Sequence, residues 1–193
     1  MEIHFNQLLE WLTANQGITN ALATIASAVA ALLALFVSFV SLVVAGRSVR
    51  VQHKHNKLSV RPLPEVTVAD FENILRVKLR NHGSGPLLIK SLRVHGYDGS
   101  HETLVDAVPA LPQRLWTNFC GNVDGRSLLP GSEIVLLELV EEKGELGFKG
   151  SRDLARKALA LAVVSVDYSD VYESGFQPYK KSLEWFGRHW ATA

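Results

Sequence analysis

From Trp11 to Gly46 the chain carries no charged side chain. From Ile18 to Gly46 it is almost wholly apolar, reading ITNALATIASAVAALLALFVSFVSLVVAG. A helix needs about 20 apolar residues to cross the hydrocarbon core of a bilayer. This run is longer and predicts a transmembrane helix over residues 18–46. A long buried helix of a soluble protein fits poorly, because a domain this small could hardly surround it. A cleaved signal peptide fits poorly too. The start is acidic rather than basic, with Glu2 and Glu10, and the run outlasts the usual apolar core of about 7–15 residues. Ahead of the run, MEIHFNQLLEWLTANQG places Phe5, Leu8, Leu9 and Leu12 at helical spacing with Trp11 beside them. Over residues 1–17 this predicts an amphipathic helix lying in the interface, broken at Asn15, Gln16 and Gly17.

Directly after the apolar run comes RSVRVQHKHNKLSVRP. Its basic residues Arg47, Arg50, Lys54, Lys57 and Arg61 are three, four, three and four apart. That spacing puts all five on one side of a helix continuing past the span. Pro62 disfavours helix at Arg61, so the helix should end near Ser59 or Val60. A helix from about residue 18 to 60 would be about 60 Å long, about twice the hydrocarbon thickness. Over residues 47–61 the basic side is expected near anionic headgroups, at about 1 kcal/mol per residue close to the surface. Lys and Arg beside a span remain cytoplasmic. The expected topology has the N-terminus outside and the C-terminal domain in the cytosol.

Small residues recur every four positions in the span, as Ala23, Ser27 and Ala31 and as Ala26, Ala30, Ala34 and Ser38. Such faces let helix backbones approach closely, and Ser can hydrogen-bond across the contact. Self-association into a homo-oligomer is expected on these residues. No ionisable residue lies within the span, so nothing points to a proton relay.

After Pro62 the period changes from helical to alternating. PEVTVAD and ILRVKLR read as a hairpin joined through Asp70 to Asn73. In the second strand Leu75, Val77 and Leu79 should face inward and Arg76, Lys78 and Arg80 outward. NHGSGP, Asn81 to Pro86, is a turn whose two glycines are expected to supply unusual backbone angles. LLIKSLRVHGYDG predicts a third strand with a bulge. Leu104 to Val108 reads as a strand, and PQRLWTNF as a short helix begun at Pro112. EIVLLELVE is an apolar strand and EEKGELGFKG an exposed loop. SRDLARKAL reads as a helix capped by Ser151, and LALAVVSVDYSD as a strand. Glu173, Ser174 and Gly175 form a turn before a final strand FQPYKKSLEWF. About six to eight mostly antiparallel strands over residues 62–193 predict a mainly β chain, a β-sandwich domain with one or two short helices.

Arg61–Pro62 at the end of a basic flank, Asn81–Gly83–Gly85–Pro86 closing a strand, and Tyr168, Asp170 and Tyr179 late in the chain form a pattern. The chain resembles small bacterial single-span membrane proteins with a cytosolic β-domain. It departs from them at Leu87, where a small residue is common, and at the Glu-Ser-Gly turn, where a Phe-Gly type is commoner. Some of these proteins resemble membrane effectors of anti-phage systems. The resemblance implies a cytosolic β-domain that senses a nucleotide signal, and spans that then disrupt the inner membrane.

Composition narrows the chemistry. The chain has 193 residues and a formal net charge of +1, so nothing global points to DNA or RNA. A single cysteine, Cys120, excludes an intrachain disulfide and any zinc site built on several thiolates. No P-loop, Gly-x-Ser-x-Gly, HExxH or paired CxxC occurs. NHGSGP lacks the lysine and the following helix of a phosphate loop. His53 and His55, two apart on a helix, point about 200° from each other and cannot share a metal ion. Cys120 shows no histidine partner in sequence and reads as a packed thiol. A non-enzymatic protein without cofactor or metal is expected. The basic row Arg76, Lys78 and Arg80 is the candidate contact for an anionic ligand, either headgroups or a nucleotide phosphate, and otherwise a guarded sheet face. Trp185, Phe186 and Trp190 are expected to pack in the core. A passive subunit that anchors a larger complex is the competing functional expectation.

Overall fold

A computed structural model of the chain describes residues 2–112 and 114–189. The side chains of Phe5, Leu8 and Leu9, and Trp190 altogether, lie outside the described residues. The chain divides into two compact units, Met1–His55 and Asn56–Ala193.

The first unit is helical. Helix α1 spans Glu2–Ala14 and helix α2 spans Gln16–Ser59. The break falls at Asn15 alone, while Gln16 and Gly17, expected to share it, open α2. Asn15 folds its amide back onto the Trp11 carbonyl at 3.0 Å, while Ile18 N and Thr19 N both donate to the Asn15 carbonyl at 3.0 Å. Helix α2 has 44 residues, buries none of them, and is long and apolar enough to cross a membrane. At about 1.5 Å per residue it is about 66 Å long. It ends at Ser59, as Pro62 requires.

The second unit holds two antiparallel sheets. One has the order β1 (Pro64–Asp70), β2 (Ile74–Asn81), β7 (Glu133–Val140), β5 (Asn118–Phe119). The other has the order β4 (Gly99–His101), β3 (Leu87–Gly96), β8 (Val163–Ser169), β9 (Tyr179–Ser182), with β6 (Ser127–Leu128) pairing β3. The predicted hairpin is present, with Val68 opposite Val77 and Asp70 opposite Leu75. The expected alternation of β2 also holds: Leu75, Val77 and Leu79 are fully buried. In β3 the register shifts between Ile89 and Ser91. Buried positions accordingly pass from Leu87 and Ile89 to Leu92 and Val94, changing parity across the bulge. These residues join Leu137 and Leu139 of β7 and Val164 and Val166 of β8 in one apolar cluster. Truncating such a leucine to alanine costs about 2–5 kcal/mol.

Four readings of the sequence are corrected. Residues 104–108 form turns rather than a strand. The Thr103 hydroxyl accepts from Asp106 N at 3.2 Å and donates to the Asp106 carboxylate at 2.5 Å, which closes the chain locally, although Leu104, Ala107 and Val108 are still buried. Second, no helix follows Pro112 among the described residues, and Asn118–Phe119 instead pairs with β7 as β5. Third, helix α3 spans Phe148–Ala160, so it takes in the end of the expected loop and begins ahead of Ser151. Phe148 is buried, and Ser151 lies inside the helix with a buried hydroxyl that makes no hydrogen bond, rather than capping it. Fourth, the final strand stops at Ser182, and Glu184–His189 turns into a 3-10 helix that carries Phe186 into the core. Trp185 remains partly exposed, edge-on to Phe186 at 5.4 Å.

Helix α3 is attached through charge. Asp70, at the end of β1, is buried and receives Arg156 in a two-pronged contact (2.6 Å at the shortest) and Arg188 at 2.9 Å. Arg156 also meets Asp153 at 2.9 Å, and Arg152 donates to the carbonyls of Phe71 and Glu72. A planar guanidinium matches a carboxylate with two parallel hydrogen bonds, which lets it be buried at this joint.

Candidate functional site at the helix exit

The Asn81–Pro86 turn folds back on the segment that leaves α2. Asn81 is fully buried, and its amide uses every donor and acceptor it has. Its Oδ1 accepts from Leu63 N at 3.1 Å and Gly83 N at 2.9 Å. Its Nδ2 donates to the carbonyls of Gly85 at 2.8 Å and Leu128 at 3.0 Å. His82 N donates to the Leu63 carbonyl at 2.9 Å. One side chain thereby joins the chain leaving the helix, the turn, and the end of β6.

The two glycines of this turn serve close approach, not the unusual backbone angles expected of them. Neither has a left-handed φ. A Cβ on Gly83 would stand 2.3 Å from the Arg61 carbonyl oxygen, and one on Gly85 would stand 1.8 Å from that of Val60. Between them, Ser84 Oγ donates to the Ser59 carbonyl at 2.5 Å. This satisfies one of the acceptors that the last turn of any helix leaves without an internal partner.

The β8–β9 loop reaches the same segment. Asp170 is buried and accepts from Tyr172 N and Ser174 N, each at 2.9 Å. Burial opposes the charged form, but the hydrogen bonds from Ser174 and Tyr172 and the charge of Lys57 outweigh it and hold the carboxyl below its ordinary range. Glu173, with φ of 54°, takes the left-handed turn that follows. Phe176 stacks on Tyr168 at 5.2 Å. Burial pushes the Tyr168 phenol up, with the Arg61 charge partly opposing it. The guanidinium of Arg61 lies over the Phe176 ring at 5.4 Å, and the Lys57 ammonium over the Tyr172 ring at 5.6 Å. Tyr179, from β9, accepts a hydrogen bond from Val66 N at 3.1 Å.

Residues that read in the sequence as two separate turn motifs therefore surround one stretch, residues 57–66. Their convergence has no local signal. Only their joint occurrence with Arg61–Pro62 hinted that they belong together.

The other sequence candidates lie elsewhere. Arg47, Arg50 and Lys54 are exposed on α2 in the first unit. The basic row of β2 faces outward as expected, against carboxylates of β7: Arg76 pairs with Glu138, and Lys78 with Glu133 at 2.6 Å. The hydrogen bond from Lys78 holds the Glu133 carboxyl below its ordinary range. Arg80 is half-buried, with its Nε enclosed and making no hydrogen bond. The alanines Ala23, Ala26, Ala30, Ala31 and Ala34 are exposed on α2. Ser27 and Ser38 donate to the carbonyls of Ala23 and Ala34, four residues back, at 2.8 Å. Cys120 is partly buried, with Arg126 Nη1 at 3.4 Å from its Sγ. Among the described residues no three His, Cys, Asp or Glu side chains form a group that could hold a metal.

No family model, curated protein or solved structure matches the chain.

Proposed function

We propose that the protein is a non-enzymatic, single-pass effector or sensor subunit of the bacterial inner membrane. The observation that carries this reading is α2, a 44-residue helix with no buried residue, whose apolar part runs straight into a basic flank. An unburied, almost wholly apolar stretch from Ile18 to Gly46 is what lipid would surround. The basic flank sets the N-terminus outside and the C-terminal unit in the cytosol. The two sheets form a β-sandwich that binds a nucleotide second messenger or a protein partner. The spans self-associate along the Ala23–Ser27–Ala31 and Ala26–Ala30–Ala34–Ser38 faces and disrupt the membrane, in keeping with the resemblance to anti-phage effectors.

One observation favours a second reading, a passive anchoring subunit of a larger complex. The hydroxyls of Ser27 and Ser38 are engaged by their own helix. In a contact between spans these hydroxyls would then serve only as acceptors, and close packing would carry most of it.

Replacing residues 18–46 with an unrelated leucine-rich helix separates the two. An effector loses detergent-resistant oligomers and membrane leakage in cells. An anchor keeps its partner at the membrane unchanged. A reporter fused at the C-terminus that is active only in the periplasm would overturn both.

A further inference from the structure

The five basic residues after the span share one helical spacing but not one environment. Arg47, Arg50 and Lys54 are exposed on the helix. Lys57, half-buried, and Arg61, itself exposed, differ in that each lies over an aromatic ring of the β8–β9 loop. The turn that grips the intervening backbone admits no side chain at Gly83 or Gly85, and Asn81 has no hydrogen-bonding capacity left. The exit segment is thus fixed on its backbone side by one loop and on its side-chain side by another.

We propose that Lys57 and Arg61 are positioning residues rather than lipid ligands: with Tyr172 and Phe176 they form a latch that clips the β8–β9 loop to the root of α2. The Asn81 turn is the fixed jaw, because the Asn81 side chain at its base is buried and hydrogen-bonded at both of its polar atoms. The β8–β9 loop is the moving jaw. Its tip, Val171 to Gly175, is largely exposed, and it is held to the exit segment by ring-face contacts that each contribute modestly. A partner that takes Tyr172 removes the contact of Lys57, one that also takes Phe176 removes that of Arg61, and either loosens the last turn of the helix. The latch lies wholly within residues 56–193 and stands whether the protein is an effector or an anchor.

Amide hydrogen exchange of the full chain in detergent micelles, read by mass spectrometry, tests the latch from both sides. The double variant Lys57→Gln/Arg61→Gln is expected to speed exchange over residues 171–178 by about fivefold to thirtyfold. Exchange in β2 and β7 should stay within twofold of the parent. The cation-retaining pair Lys57→Arg/Arg61→Lys restores protection. In the other direction, Tyr172→Leu/Phe176→Leu speeds exchange over residues 56–62. The triple variant Arg47→Gln/Arg50→Gln/Lys54→Gln leaves residues 171–178 unchanged. The latch is overturned if the double variant leaves the loop within twofold, if β2 and β7 accelerate as much as the loop, or if the triple variant reproduces the effect.

Discussion

The second unit presents two sets of basic residues, and they have different partners. Along β2, Arg76 and Lys78 meet carboxylates supplied by the neighbouring strand β7. At the helix exit, Lys57 and Arg61 meet the faces of Tyr172 and Phe176. In the sequence both sets show regular spacing, period two in one and three-four in the other. Periodicity fixes which face of an element a side chain occupies. It carries no information on what stands opposite, since Glu133 and Glu138 lie more than fifty residues beyond the cations they neutralise. A cation that faces a carboxylate is neutralised where it stands. One over a ring keeps its full charge and is held by a modest contact, although at the exit the charge of Lys57 also supports the buried Asp170 carboxylate.

The exit is also the more tightly built of the two places, and the largest effects are expected there. Gly85→Ala puts a Cβ 1.8 Å from the Val60 carbonyl oxygen, so backbone must move. A loss of more than about 3 kcal/mol is expected in urea unfolding of the full chain in detergent. Asn81→Ala leaves Leu63 N, Gly83 N and the Gly85 and Leu128 carbonyls without their partner, for a loss of about 3 kcal/mol. A change below about 1 kcal/mol in either variant would mean that the turn does not hold the exit segment.

The distinction also explains how far the sequence was legible. The end of α2 at Ser59, the β1–β2 hairpin, the inward Leu75, Val77 and Leu79, and the bulge in β3 all follow from local rules, namely proline sterics, alternation and turn chemistry. Residues 104–108 resisted because their apolar positions are held by turns. Thr103 and Asp106 close the chain on itself before Leu104 to Val108 can pair as a strand. The Asp70–Arg156–Arg188 joint was illegible for another reason. Its members are 86 and 118 residues apart, and nothing in the sequence links them. At the exit every component was visible, but not their meeting, because the need for glycine at positions 83 and 85 is set by residues 60–63 folding over them rather than by the turn's own dihedral angles.

A smaller effect, with a defined dependence on pH, is expected at Asp170. Its carboxyl is held below the ordinary value in the folded chain. The carboxylate therefore stabilises the fold above the unfolded pKa of about 4, and this contribution fades as pH falls through the folded value. Asp170→Asn should lower stability at pH 7 by about 1.5–3 kcal/mol, the amount typical of hydrogen bonds to a charged acceptor. Thermal unfolding between pH 7 and pH 3 would show a shallower acid decline in the variant than in the parent. Parallel declines would remove Asp170 from the acid response and leave the β8–β9 turn without its charged centre.

The smallest stability effect is expected on β2, and it is the one that sharpens the contrast most. Lys78 and Glu133 are partly exposed, and such pairs contribute about 0–1 kcal/mol. Lys78→Gln should therefore change stability by less than about 1 kcal/mol, and Glu133→Gln by a similar amount. Their effects on anion binding should differ in sign. If Arg76, Lys78 and Arg80 form an anion site, Glu133→Gln frees Lys78 and tightens binding of a nucleotide polyphosphate, while Lys78→Gln weakens it. Calorimetric titration of the full chain with such an anion reads both. If neither substitution changes the titration, the row is a neutralised sheet face.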